Sequence, residues 1–159
     1  MVFVQAAMTY PFKFAHFPDP ALTFGRRRDW GPLGAVEVHA EPGPAMVLET
    51  LSGATLAAVV DDGLLSVPDS AQLGLHLVSV LSYLHRQGWL HLDVKPSNIV
   101  VENGRATLID LSLVGRPGSG RRGAGTRGYL APEQALGENL SAATDVWGLG
   151  VTLVESLTG

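Results

Sequence analysis

Apolar and polar positions along the chain fall into two helix-like stretches and several strand-like ones. Leu73, Leu77, Val80, Leu81 and Leu84 recur at i, i+4, i+7, i+8 and i+11, which is one face of a helix. Asp69 sits three residues before Gln72, a capping-box spacing that predicts the start of this helix. His85 and Arg86 fall in its last turn and Gly88 follows as a stop, giving a helix over 69–88. A second helix is predicted over 141–158, with Ser141 as its cap and Val146, Leu149, Val151, Leu153 and Leu157 apolar. It is polar on so few sides that burial is expected.

The strand-like stretches are shorter. Residues 33–51 predict two strands: LGAVEVHA alternates over Val36, Val38 and Ala40, EPGP turns, and AMVLETL resumes as a more buried strand. LSGATL then reads as a small-residue break. FKFAHF, residues 12–17, alternates weakly, and Pro11, Pro18, Pro20 and Pro32 exclude a helix around it. Residues 98–110 predict a β-hairpin, because Asn103-Gly104 between NIVVE and RATLID favours the left-handed dihedrals of a tight turn. Residues 111–128 hold six glycines among eighteen and read as loop.

Composition narrows the classes. At 159 residues and 46% hydrophobic, the chain can build a core, which excludes wholesale disorder. Net charge is −4, without the basic footprint of a nucleic-acid binder. Arg26-Arg27-Arg28 reads as a solvated run. The absence of cysteine excludes disulfides, thiolate catalysis and Cys-ligated zinc. His76 and His85 lack the company of other ligands and are not expected to bind metal. The first ten residues lack a basic n-region, and no apolar run approaches the ~18 residues of a membrane span, so a cytoplasmic protein is expected. Only two lysines occur, Lys13 and Lys95.

Lys95 lies in the most informative segment, His91-Leu92-Asp93-Val94-Lys95-Pro96-Ser97-Asn98. The hairpin that follows returns the chain to the same sheet end at Asp110. Three oxygen-bearing side chains, Asp93, Asn98 and Asp110, are thereby expected to converge with one ammonium. Hard oxygen ligands in that number suit Mg2+, and a nearby lysine would offset charge on a transferring phosphoryl group. Spacing alone leaves two readings open: a phosphoryl-transfer centre, or a polar loop whose carboxylates cap turns.

The letters H-L-D-V-K-P-S-N resemble the H-R-D-x-K-P-x-N catalytic loop of eukaryotic-type protein kinases. Asp110-Leu111-Ser112 is similar to that family's Asp-Phe-Gly metal motif. Gly125-Thr126-Arg127-Gly128-Tyr129-Leu130-Ala131-Pro132-Glu133 resembles the close of its activation segment, and Asp145-Val146-Trp147-Gly148-Leu149-Gly150-Val151 the helix that follows. Met46 to Leu51 is similar to the hinge between the two kinase lobes. The four motifs occur in the family's order, and bacterial serine/threonine kinases are the nearest branch.

The resemblance implies an α+β, two-lobe fold, with residues 1–51 a partial small lobe up to the hinge and 52–159 a partial, mainly helical large lobe. It implies ATP and Mg2+ as cofactors and a protein bearing serine or threonine as substrate. Asp93 would be the catalytic base, and Lys95 would contact the γ-phosphate. Asn98 and Asp110 would hold Mg2+, Glu49 to Leu51 would meet the adenine, and Thr126 would tie the activation segment to the catalytic loop.

Several positions depart from the family pattern. Lys13 is the only lysine before the hinge, too near the start to follow a glycine-rich nucleotide loop. The one G-x-G-x-x-G, at Gly118, Gly120 and Gly123, falls inside the activation segment and reads as a flexible loop. Leu92 replaces the arginine that meets a phosphorylated activation loop, so phosphorylation there is not expected to be the main switch. Ser112 replaces a glycine that tolerates positive φ, so conformational switching at Asp110 is expected to be altered. The chain reads as short at both ends for this family, leaving Glu133 without its arginine and apolar surface on the 146–157 helix open to self-association. The alternative is a catalytically inactive pseudokinase or binding scaffold.

Overall fold

The computed structural model describes residues 7–8, 36–40, 43–47 and 51–159. Lys13, the FKFAHF stretch, Arg26 to Arg28 and Glu49 lie outside the described residues. The elements run β1 (Ala7–Met8), β2 (Val36–Ala40), β3 (Gly43–Val47), β4 (Ala54–Thr55), α1 (Leu56–Asp62), α2 (Val67–Arg86), a 3-10 turn (Pro96–Asn98), β5 (Ile99–Glu102), β6 (Arg105–Ile109), α3 (Pro132–Leu136) and α4 (Ala142–Thr158). The pair β2–β3 is the hairpin expected from the alternation, with Val36 opposite Val47 and Ala40 opposite Gly43. The other four strands form one antiparallel sheet in the order β1-β6-β5-β4.

The β5–β6 hairpin confirms the turn chemistry: Asn103 (φ 50°) and Gly104 (φ 73°) both take left-handed dihedrals. Helix α2 starts two residues earlier than expected, and its cap is Ser66 rather than Asp69. The Ser66 hydroxyl accepts from the Asp69 amide at 3.3 Å and donates to the Asp69 carboxylate at 2.6 Å. Pro68 inside the first turn masks this start in the sequence, although proline is well suited there because its missing N–H would have no helical partner. Helix α1 begins at Leu56, the last residue of LSGATL, in a stretch for which the sequence pattern predicted no element. The Thr55 hydroxyl caps it by accepting from the Ala58 amide at 3.2 Å, and Leu56 is fully buried.

The apolar stripe of α2 lies where its periodicity put it. Leu73, Leu77, Val80, Leu81 and Leu84 pack with Leu56, Val94, Ile99, Ala106, Leu108 and Leu149 as one core. Burying a side chain of this kind contributes about 1.5–3 kcal/mol. This core binds α1, α2 and the hairpin into a base for the segment between α2 and β5.

Helix α4 is buried on one face only and carries the exposed apolar surface expected of it. Its buried face is the stripe Thr144, Gly148, Thr152 and Ser156, with Asp145 and Leu149 beside it, while Val146, Trp147 and Val154 are exposed. Small residues win the inner face because the neighbours come close. A Cβ on Gly148 would lie 2.9 Å from the Val94 carbonyl oxygen. Ser70 and Ser156 pair their hydroxyls at 3.3 Å across α2 and α4. The Leu65 amide donates to the Ser156 carbonyl at 2.8 Å.

Gly148→Val forces a branched side chain into the Val94 backbone and is expected to destabilise the protein by about 2 kcal/mol. Urea denaturation checks this; an unchanged midpoint would mean that α4 does not sit this close to residue 94.

Candidate active site

The segment between α2 and β5 is irregular, so its backbone groups need partners from elsewhere. Asp145, in the first turn of α4 and only 1% exposed, supplies them. Its Oδ2 accepts from the His91 amide at 2.9 Å and its Oδ1 from the Leu92 amide at 2.8 Å. Oδ2 also lies 2.7 Å from Nε2 of His85, at the end of α2. One carboxylate thus joins two helices and the loop between them, and the His85 ring is engaged by Asp145 rather than offered to a metal.

This anchoring holds Leu92 at φ 66°, a conformation that costs a non-glycine residue about 1–2 kcal/mol. The Leu92 carbonyl is also held, accepting from Nε2 of Gln134 at 2.8 Å. His91 is fully buried. Its Nδ1 accepts from the Asp93 amide at 3.3 Å, so the proton sits on Nε2, which donates to the Ile109 carbonyl at 3.2 Å. Burial lowers the His91 pKa, outweighing the pull of the Asp145 carboxylate and the Ile109 carbonyl, so the ring is a neutral structural bridge from the loop to β6.

Asp93 follows directly and is 8% exposed. Its Oδ2 is 2.8 Å from Nζ of Lys95 and accepts from Nδ2 of Asn98 at 3.0 Å. Its Oδ1 accepts from the Thr126 hydroxyl at 2.7 Å, and that hydroxyl accepts from Lys95 Nζ at 2.6 Å. Burial pushes the Asp93 carboxyl up, but the bonds from Lys95, Thr126 and Asn98 outweigh it, so its pKa lies below the usual range. At neutral pH this site presents an ionised carboxylate flanked by an ammonium.

Asn98 closes the 3-10 turn and also donates to the Asp93 carbonyl at 2.9 Å. With Nδ2 committed to Asp93, its Oδ1 is the acceptor that remains for a cation. Pairing of Ile99 with Leu108 sets Asn98 opposite Ile109, so Asp110 lies one residue beyond it at the same sheet end. Asp110 has φ 64°, and its Oδ1 accepts from the Ser112 amide at 3.1 Å. The left-handed conformation here falls on Asp110 itself, and Ser112 does not take it. An amide oxygen and a carboxylate are donors that Mg2+ accepts, so the residues present fit that ion chemically.

The sequence thus brings Asp93, Lys95, Asn98 and Thr126 into direct contact and puts Asp110 at the adjoining strand end. Leu51 is half-buried before β4, with no contact to this group described. Sequence reasoning missed Gln134. Its Nε2 donates to the carbonyls of Leu92 and Ala124 (3.1 Å), joining the loop to the 111–128 stretch. Nothing local marks a glutamine acting across 42 residues of chain.

Residues 111–128 lack helix and strand, as expected, but they are pinned at intervals. Leu90 and Gly115 exchange backbone bonds at 2.8 and 3.0 Å. Gly118 and Leu140 exchange another pair at 2.8 Å, and the Gly120 amide donates to Gly137 at 2.9 Å. The glycine-rich stretch is therefore fastened to the end of α3 rather than free. Gly137 sits at φ 76°, where a Cβ would meet the Gly120 carbonyl at 2.7 Å. Arg116 stacks 3.7 Å over the Trp89 ring and donates to the carbonyls of Gln87 and Gly88. Glu133 is half-buried and accepts from the Thr144 hydroxyl at 2.7 Å, so it has a partner within the chain.

Three comparisons place this geometry. The family model of the protein kinase domain matches residues 37–159. The chain is 35% identical over 129 residues to a probable serine/threonine-protein kinase PknB of Bifidobacterium longum, covering 76% of this chain and 19% of that protein. It is 35% identical over 134 residues to the serine/threonine-protein kinase PknB of Mycobacterium leprae, covering 79% and 22%. It thus spans about a fifth of the length of these relatives. In fold it is similar to vaccinia related kinase 3, with a TM-score of 0.68 and 23% identity, covering 79% of this chain and 44% of that one.

Asp145→Ala removes the acceptor shared by two backbone amides and His85. The expected loss is about 3–5 kcal/mol, lowering Tm by about 10 °C in a chain of this length. Calorimetry checks this; a change below 2 °C would show that the loop is held by other means.

Proposed function

The chain belongs to the protein kinase domain family, in its serine/threonine branch, and from that membership we propose that it transfers the γ-phosphoryl group of ATP to a serine or threonine hydroxyl of a protein. The observation that carries the reading is the contact of Asp93, Lys95, Asn98 and Thr126 around one ionised carboxylate. On this reading, residues 1–51 belong to the smaller lobe and residues 52–159 to the larger. Glu49 to Leu51 meet the adenine through backbone groups. The assignment to the cytoplasm, where ATP is available, belongs to the same proposal; among the described residues no helix is long and apolar enough to cross a membrane.

The steps follow from charge and position. Asp93 accepts a hydrogen bond from the substrate hydroxyl and aims its oxygen at the γ-phosphorus. A P–O bond forms to that oxygen as the bond to the β–γ bridging oxygen breaks, ADP leaves, and the hydroxyl proton passes to Asp93. A carboxyl with a lowered pKa is a weak proton acceptor, which suits a loose transition state where the proton moves late and positioning dominates. Lys95 offsets charge on the transferred group while keeping Asp93 ionised. Asn98 and Asp110 are the residues to hold Mg2+, which when bound neutralises charge on the phosphate oxygens.

Asp93→Asn keeps the shape of the side chain but turns one accepting oxygen into an NH2 donor and removes the proton acceptor, so transfer of radiolabel from ATP to a protein mixture is expected to fall by 10²–10⁴-fold. Equal signals from both chains would overturn the catalytic reading. Because the Asp93 pKa is lowered, protonation comes only as pH falls through a value below the usual ~4. Activity is therefore expected to show no loss from this group between pH 6 and 8.

Self-association through the exposed Val146, Trp147 and Val154 is a further part of the proposal. Light scattering over a concentration series is expected to show mass rising above one chain; a constant monomer mass would overturn it.

A further inference from the structure

Charge is distributed unevenly along this chain. Net charge is −4, yet residues 111–132 contain four arginines and no acidic residue. Arg116 is occupied by the Trp89 ring and two carbonyls. Arg121, Arg122 and Arg127 are exposed, and among the described residues no hydrogen bond or ion pair engages their side chains. The stretch that carries them holds no acidic residue to offset their charge, so they present positive charge to solvent.

Their backbones are fixed relative to Asp93. The turn carrying Arg121 and Arg122 is closed by the Ala124 amide, which donates to the Arg121 carbonyl at 3.1 Å. The Gly123 amide donates to the Gln134 carbonyl at 2.8 Å. The Gln134 side chain in turn holds Ala124 and Leu92, the residue next to Asp93. Arg127 follows Thr126, whose hydroxyl is 2.7 Å from Asp93 Oδ1. The three charges are thus attached to the frame that holds the carboxylate, and the chain from Arg121 to Thr126 spans at most about 17 Å.

We propose that Arg121, Arg122 and Arg127 form a recognition surface for acidic side chains lying within about five residues of the hydroxyl presented to Asp93. This rests on the phosphoryl-transfer reading and specifies its substrate class, an acidic peptide. Guanidinium groups pair carboxylates through two parallel N–H donors, which favours acids over other polar side chains. A long polyanion such as nucleic acid fits less well, because the rest of the chain is net negative and would repel it.

The test uses fluorescent peptides with alanine at the acceptor position, so that binding is read without transfer. One set carries glutamate flanks and the other glutamine. Anisotropy at low salt is expected to show the glutamate peptide binding about tenfold tighter, with the preference fading as salt rises. Arg121→Gln with Arg122→Gln, and separately Arg127→Gln, are each expected to reduce that preference about threefold. Arg127→Glu should shift it toward lysine-flanked peptides.

Equal affinity for the two peptides, or a preference unchanged in the variants, would overturn the proposal. A single-stranded oligonucleotide binding more tightly than the acidic peptide would overturn it too. Acid-selective binding by a chain that transfers no phosphate would uphold the surface and sink the kinase reading.

Discussion

The carboxylate of Asp145 is the constraint on which the site depends. It lies in the first turn of α4, where free backbone N–H groups favour a negative charge. From there it receives two amides of the segment before β5 and faces His85 of α2. A loop between a helix and a strand ordinarily has freedom of a few ångströms. Here two successive amides are tied to a helix that itself packs on α2, so Asp93 inherits the rigidity of the helical base. The left-handed dihedral of Leu92 follows from that tie: the hydrogen bonds on both sides of the residue offset the cost of its conformation.

Asp93 then works under opposing influences. Burial alone would favour its neutral form, whereas the ammonium, the hydroxyl and the amide around it favour the charged one and prevail. The same three groups orient the carboxylate, so charge state and aim share one cause. Thr126 is the link outward. Its hydroxyl bonds both Asp93 and Lys95, and the stretch preceding it is fastened to α3 by backbone bonds. Close approach at glycines and the Gln134 side chain provide this fastening.

Much of this was legible in the sequence because it depends on local rules. The α2 stripe, the Asn103-Gly104 turn, the Ser141 cap and the Asp93-to-Asn98 spacing each express short-range geometry. What escaped depends on partners far along the chain. Gln134 and Asp145 act across 42 to 60 residues, and α1 is held by burial of Leu56 rather than by a periodic pattern. The inward face of α4 was misread for the same reason: hydrophobicity predicts burial only where space allows bulk, and here the Val94 backbone leaves none.

That inward face has a thermal consequence. Of the residues on it, Leu149 joins the core and Leu153 packs against that core in part, while Thr144, Gly148, Thr152 and Ser156 bury little apolar surface. Apolar burial is the main source of the heat-capacity change on unfolding and weakens on cooling. Residue for residue, this small-residue face therefore contributes less to the curvature of stability with temperature than the leucine face of α2 does. The buried Thr152 hydroxyl, which has no hydrogen-bond partner among the described residues, is a cost that it carries at every temperature.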